Sequence, residues 1–79
     1  MFVSSKNRTL DSMRREEGQS VRAFVFSVLD AMETKAEIEF LDAPDFAIVR
    51  NYISTFSMNK GRKYRAATRV GGLHVRRIA

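Results

Sequence analysis

Apolar residues recur along this chain with two periods, and the change from one to the other marks its elements. Val21, Phe24, Val25, Val28, Leu29 and Met32 fall at three- and four-residue spacing, which predicts an amphipathic helix over 20–33. Ser20 stands where a hydroxyl can accept a free N–H of the first turn. Phe26 falls off the stripe, so this helix is expected to meet the core on more than one side or to offer Phe26 to a partner. Phe46, Val49, Ile53 and Phe56 predict a second helix over 44–58. Asp42 suits its cap, Pro44 a first-turn position that needs no N–H, and Asp45 the positive end of the dipole. Asn59, Lys60 and Gly61 end it, with Gly61 fitted to a left-handed exit.

Between these helices the pattern is two-sided. Ala36, Glu37, Ile38, Glu39 and Phe40 alternate, which favours a short strand at 35–41; Thr34 with Glu37 also forms a capping-box pattern, which favours a short helix. The strand has the edge, because the alternation is unbroken.

Period two returns after Gly61. Tyr64 to Val70 and Leu73 to Ile78 flank Gly71-Gly72, which predicts a β-hairpin over 62–79 with the two glycines as its turn. That turn sets Val70 opposite Leu73, Thr68 opposite Val75 and Ala66 opposite Arg77. Tyr64, Ala66, Val70, Leu73 and Val75 then share an apolar face, and Lys63, Arg65, Arg69, His74 and Arg76 share the other. Residues 1–19 are mostly polar and read as an N-terminal arm or a short helix stopping near Gly18, ahead of a domain over 20–79.

Seventy-nine residues bury only a small core, and with no cysteine neither a disulfide nor a thiolate site can reinforce it. No apolar run approaches the roughly 20 residues of a membrane span, and no secretory signal opens the chain, so a cytoplasmic protein is expected. The distribution of charge is more informative than its sum. Residues 1–45 carry six Lys/Arg and nine Asp/Glu, whereas 46–79 carry eight Lys/Arg and no acid. Such a one-sided field draws polyanions.

Catalytic chemistry is poorly supplied. There is no cysteine nucleophile and no G-x-S-x-G, and the single histidine, His74, lies among arginines with no carboxylate near it in sequence. Gly71-Gly72 lacks the strand–GxxxxGK–helix setting of a phosphate loop. The six acids from Asp30 to Asp45 match no Ca²⁺ loop, and one histidine does not make a zinc site. The expectation is a protein that is not an enzyme, with no cofactor, no metal and no small-molecule substrate.

The segment TKAEIEFLDAPDFAIVRNYISTF resembles a helix-turn-helix with VRNYIS as its recognition helix, and the tail KGRKYRAATRVGGLHVRRIA resembles a wing. The chain is thus similar, over residues 20–79, to winged helix-turn-helix proteins, including small phage-encoded regulators and host-takeover proteins. Asp42 and Pro44 depart from the pattern. The resemblance implies a small α+β winged-helix-like domain with two main helices and a C-terminal hairpin. It implies a regulator that binds duplex DNA sequence-specifically. Arg50, Asn51 and Ser54 would then approach the major groove, where Arg and Asn can pair with guanine and adenine edges. Lys60, Arg62, Lys63, Arg65, Arg69 and Arg76 would hold phosphates. A homodimer is plausible on this reading, with helix 20–33 as its surface. The alternative is a small phage-type inhibitor that binds a host protein, a nucleic-acid-handling enzyme or a defence complex, in the host cytoplasm.

Overall fold

The computed structural model describes residues 1–79 as an α+β fold: β1 (Phe2–Ser5), α1 (Val21–Ala31), β2 (Glu37–Leu41), α2 (Phe46–Lys60), β3 (Tyr64–Arg69) and β4 (Gly72–Arg77). The strands form one sheet in the order β1-β2-β4-β3, with every neighbouring pair antiparallel. Val3, Phe40 and Leu73 lie in one row across the sheet, and Ile38 and Val75 in the next. These side chains join Phe24, Val25, Val28 and Leu29 of α1 and Val49, Ile53 and Phe56 of α2 in a single buried cluster. Both helices therefore cover the same face of the sheet, and the other face is open. Neither helix is long and apolar enough to cross a membrane.

The two helices form where the spacing predicts. Ser20 caps α1, its hydroxyl accepting the Ala23 N–H at 3.0 Å. Phe26 packs edge-on against Tyr52 and Phe56 of α2, which explains the breadth of the apolar face. α2 starts later than the sequence suggests. Asp45, not Asp42, is its cap, accepting the Ala47 N–H at 2.9 Å, so Pro44 stays outside the helix. Gly61 closes α2 in the left-handed region at φ 64°.

Residues 37–41 are a strand, and the capping-box alternative is not used. Ile38 and Phe40 face the helices while Glu37 and Glu39 face out, and backbone pairing on both sides places β2 inside the sheet. This removes the helix that would precede a recognition helix in a helix-turn-helix. β4 pairs with β2 as well as with β3, so the hairpin is part of the four-stranded sheet.

Residues 1–19 are neither an arm nor a helix. Phe2–Ser5 is an edge strand on β2, and Val3 and Leu10 are fully buried. The chain then folds back along the far side of β1. The Val3 N–H donates to Met13 O at 2.9 Å, Ser12 N–H to Val3 O at 2.8 Å and Arg15 N–H to Met1 O at 3.0 Å. The Asp11 carboxylate accepts the Ser5 N–H at 2.9 Å.

In the hairpin the turn is Val70-Gly71, with Arg69 opposite Gly72, Thr68 opposite Leu73 and Ala66 opposite Val75. The register thus differs by two residues on β3 from that set by a Gly71-Gly72 turn. A two-residue slip preserves the faces, so Tyr64, Ala66, Leu73 and Val75 still point inward. Val70 is the exception, wholly exposed at the tip. Gly72 is glycine for a reason other than turning: a Cβ there would lie 2.9 Å from Leu41 Cδ2 and 3.0 Å from Glu39 Cγ.

Candidate nucleic-acid interface

Alternation along the hairpin places Arg65, Ala67 and Arg69 of β3 and Gly72, His74 and Arg76 of β4 on the open face. Arg65 stands directly opposite Arg76. Both are exposed, as is Arg69. The only contacts between a basic side chain and a carboxylate are the ion pair Arg62–Asp30 at 3.8 Å and the approach of His74 to Glu37 at 3.2 Å, so none of these three arginines has a carboxylate within contact distance. Like charges facing each other across a ladder destabilise it, and here no carboxylate within salt-bridge distance offsets them.

The open face is not uniformly cationic, contrary to expectation. Because β4 is a central strand, β2 brings Glu37 beside Arg76 and Glu39 beside His74. Glu37 turns its carboxylate to His74 rather than to Arg76, which gives the histidine the carboxylate neighbour that the sequence did not reveal. The face is therefore bipolar, with arginines on the β3 side and glutamates on the β2 side. A shallow open hollow between them is lined by Ser4, Lys6, Glu39, Arg69 and His74, among others. Lys6 was not foreseen, since its place depends on β1 being a strand.

The helix residues occupy another side. α2 lies on the inner face of the sheet, so its exposed side points away from Arg65, Arg69 and Arg76. One flank of α2 packs on α1 through Tyr52 and Phe26. The opposite flank meets the β3 edge, where the Arg50 guanidinium donates to Thr68 Oγ1 at 2.8 Å. Ser54, four residues after Arg50, shares that flank. Asn51 is turned further toward solvent; its side chain and that of Ser54 make no hydrogen bond within the chain. The fold consequently does not present helix face and hairpin face side by side. They meet only around the β3 edge.

Arg62 is withdrawn from the surface set. Its guanidinium donates to Leu29 O at 3.2 Å, Asp30 O at 3.3 Å and the Tyr64 hydroxyl at 3.4 Å, tying the C-terminal end of α1 to the start of β3. The Tyr64 hydrogen bond, offset in part by desolvation and helped by Asp30, raises its pKa, so it stays charged at any working pH. Arg77 is likewise structural, donating to Met32 O at 2.8 Å. Lys60 and Lys63 remain exposed near the start of β3, with Lys60 Nζ 6.0 Å from the Phe56 ring centre. What the fold brings together is a cationic band around one strand edge: Arg50, Lys60, Lys63, Arg65 and Arg69, with Arg76 one strand further in.

Comparison with protein-family models, with curated proteins and with solved structures finds no match to this chain.

Proposed function

We propose that this protein binds duplex DNA, without catalysing a reaction on it, by gripping phosphates with the band around β3. The observation that carries this reading is the Arg65–Arg76 pair on the open face, with Arg69 beside it and no carboxylate in contact. Folding alone gives no reason to juxtapose these charges, whereas a phosphate chain supplies the missing counter-charge. Arg50, Lys60 and Lys63 extend the grip around the edge. Phosphate contacts position a protein without reading sequence, so base reading falls to Arg50 and Ser54 on the near flank of α2. The winged-helix arrangement of a groove-bound helix with a flanking wing is not carried over, because the exposed side of α2 and the arginine face point in opposite directions. A regulator of transcription remains the role that fits this reading best.

One observation favours a second reading, a small inhibitor that docks on a nucleic-acid-handling protein. Glu37 and Glu39 beside the arginines make a bipolar face, which suits a protein surface better than a uniform polyanion. The two readings separate by measuring duplex binding at low salt for wild type and for the Arg65→Ala, Arg69→Ala, Arg76→Ala triple variant, with far-UV circular dichroism as the folding control. DNA binding that falls at least tenfold in a folded triple variant supports the first reading. Absence of duplex binding by wild type removes it.

A further inference from the structure

The sheet has one covered edge and one open edge. Residues 12–15 occupy the far side of β1, whereas β3 pairs with β4 alone. The Ile78 N–H donates to Lys63 O at 2.7 Å, so residues 63, 65, 67 and 69 turn their main-chain polar groups toward β4. The N–H and C=O groups of Tyr64, Ala66 and Thr68 therefore point outward. Arg50 engages the side chain of Thr68 and leaves its main chain free.

We propose that this edge pairs antiparallel with the same edge of a second copy, and that a polyanion lying across both outer faces stabilises the pair. This inference rests on the phosphate-binding part of the DNA reading, carried by Arg65, Arg69 and Arg76; a second copy on the β3 edge closes Arg50 and Ser54 off from a duplex on the outer face, so the paired form holds DNA without reading bases through them. An edge centred on Ala66 is self-complementary: Tyr64 lies opposite Thr68 of the second copy and Ala66 opposite Ala66. The two-fold axis stands perpendicular to the sheet, so both arginine faces look the same way and form one continuous surface. A single open edge per chain closes the assembly at two copies rather than extending it into a filament. The α1 surface that the sequence suggests for a dimer is already engaged, since Phe26 packs on Tyr52 and Phe56 of the same chain.

Charge makes the pairing conditional. In this register Arg69 faces Lys63 of the second copy, twice over, and Arg65 lies over Ala67. Cations thus guard the edge when the protein is free, as edge strands commonly require. Phosphates bound across the junction remove that repulsion, so DNA binding and pairing reinforce each other.

The test is sedimentation velocity with and without a duplex of two turns, about 20 bp, on wild type and on Ala66→Pro. Proline at residue 66 removes an outward N–H that the β3–β4 ladder does not use, a position where edge proline is tolerated. Wild type is expected to be monomeric alone and to place two copies on the duplex cooperatively. Ala66→Pro is expected to bind as a single copy without cooperativity. Hydrogen exchange on wild type reads the same edge without a substitution: the amides of Tyr64, Ala66 and Thr68 should slow at least tenfold when duplex is added. Duplex bound one copy at a time, with those amides still exchanging freely, overturns the pairing and leaves the DNA reading intact. No binding of duplex at any salt overturns both.

Discussion

Arg65 and Arg76 face each other across the β3–β4 ladder, and the carboxylate of Glu37, the neighbour of Arg76 on its other side, lies 3.2 Å from His74 instead. Replacing Arg65, which has no acidic cross-strand neighbour, should therefore help the free protein while weakening the proposed DNA binding. Arg65→Gln is expected to raise the melting temperature by roughly 1–3 °C at low salt, with the gain shrinking as salt screens the pair. The same variant should bind duplex several-fold more weakly. Thermal unfolding at two salt concentrations checks this; a gain that ignores salt would point to strand propensity instead.

Arg62 should behave in the opposite way. Its guanidinium serves Leu29 O, Asp30 O and the Tyr64 hydroxyl, and Tyr64 also donates to Leu29 O at 3.0 Å. Arg62→Ala is expected to cost about 1–3 kcal/mol of stability by removing the hydrogen bonds that tie α1 to β3 and the ion pair with Asp30. DNA affinity per folded molecule should be nearly unchanged. Urea unfolding together with binding measured well below the unfolding midpoint separates the two effects.

Leu10 lies in the segment that the sequence presents as a polar arm, yet it is fully buried. Leu10→Ala is expected to lose about 2–5 kcal/mol, as a core position does. A loss under about 0.5 kcal/mol, the surface range, would mean that the segment is peripheral after all.

Gly72 separates the two turn assignments. As a strand residue beside the Leu41 and Glu39 side chains, it should accept Ala once those side chains shift, with a net change within about 1 kcal/mol of wild type. The Gly72→Ala, Leu41→Ala double variant should show coupling, because removing Leu41 Cδ2 opens the space the new methyl needs. Additive effects in a double-mutant cycle would contradict that packing.

Where regular spacing exists, this chain is legible. The stripes of α1 and α2 and the alternation of Glu37–Leu41 carry enough period to specify their elements, and the hairpin faces survive a wrong turn because a two-residue slip preserves parity. β1 is not legible, since Phe2 and Val3 are too short a pattern to stand out from a polar stretch. Nor is the neighbour of β4, which only the tertiary fold assigns; Glu37 and Glu39 were readable as an acidic face but not as the companions of Arg76 and His74. Arg62 and Arg77 look like their surface counterparts in sequence, and only the carbonyls they reach tell them apart.

The salt dependence of duplex binding tests the central claim most directly. With about four to five cations engaged, the logarithm of affinity should fall linearly with the logarithm of salt concentration, with a slope of about −4. The triple Arg65→Ala, Arg69→Ala, Arg76→Ala variant should flatten that slope by about 2 to 3. A flat salt response in wild type, or a slope that the triple variant leaves unchanged, contradicts the account.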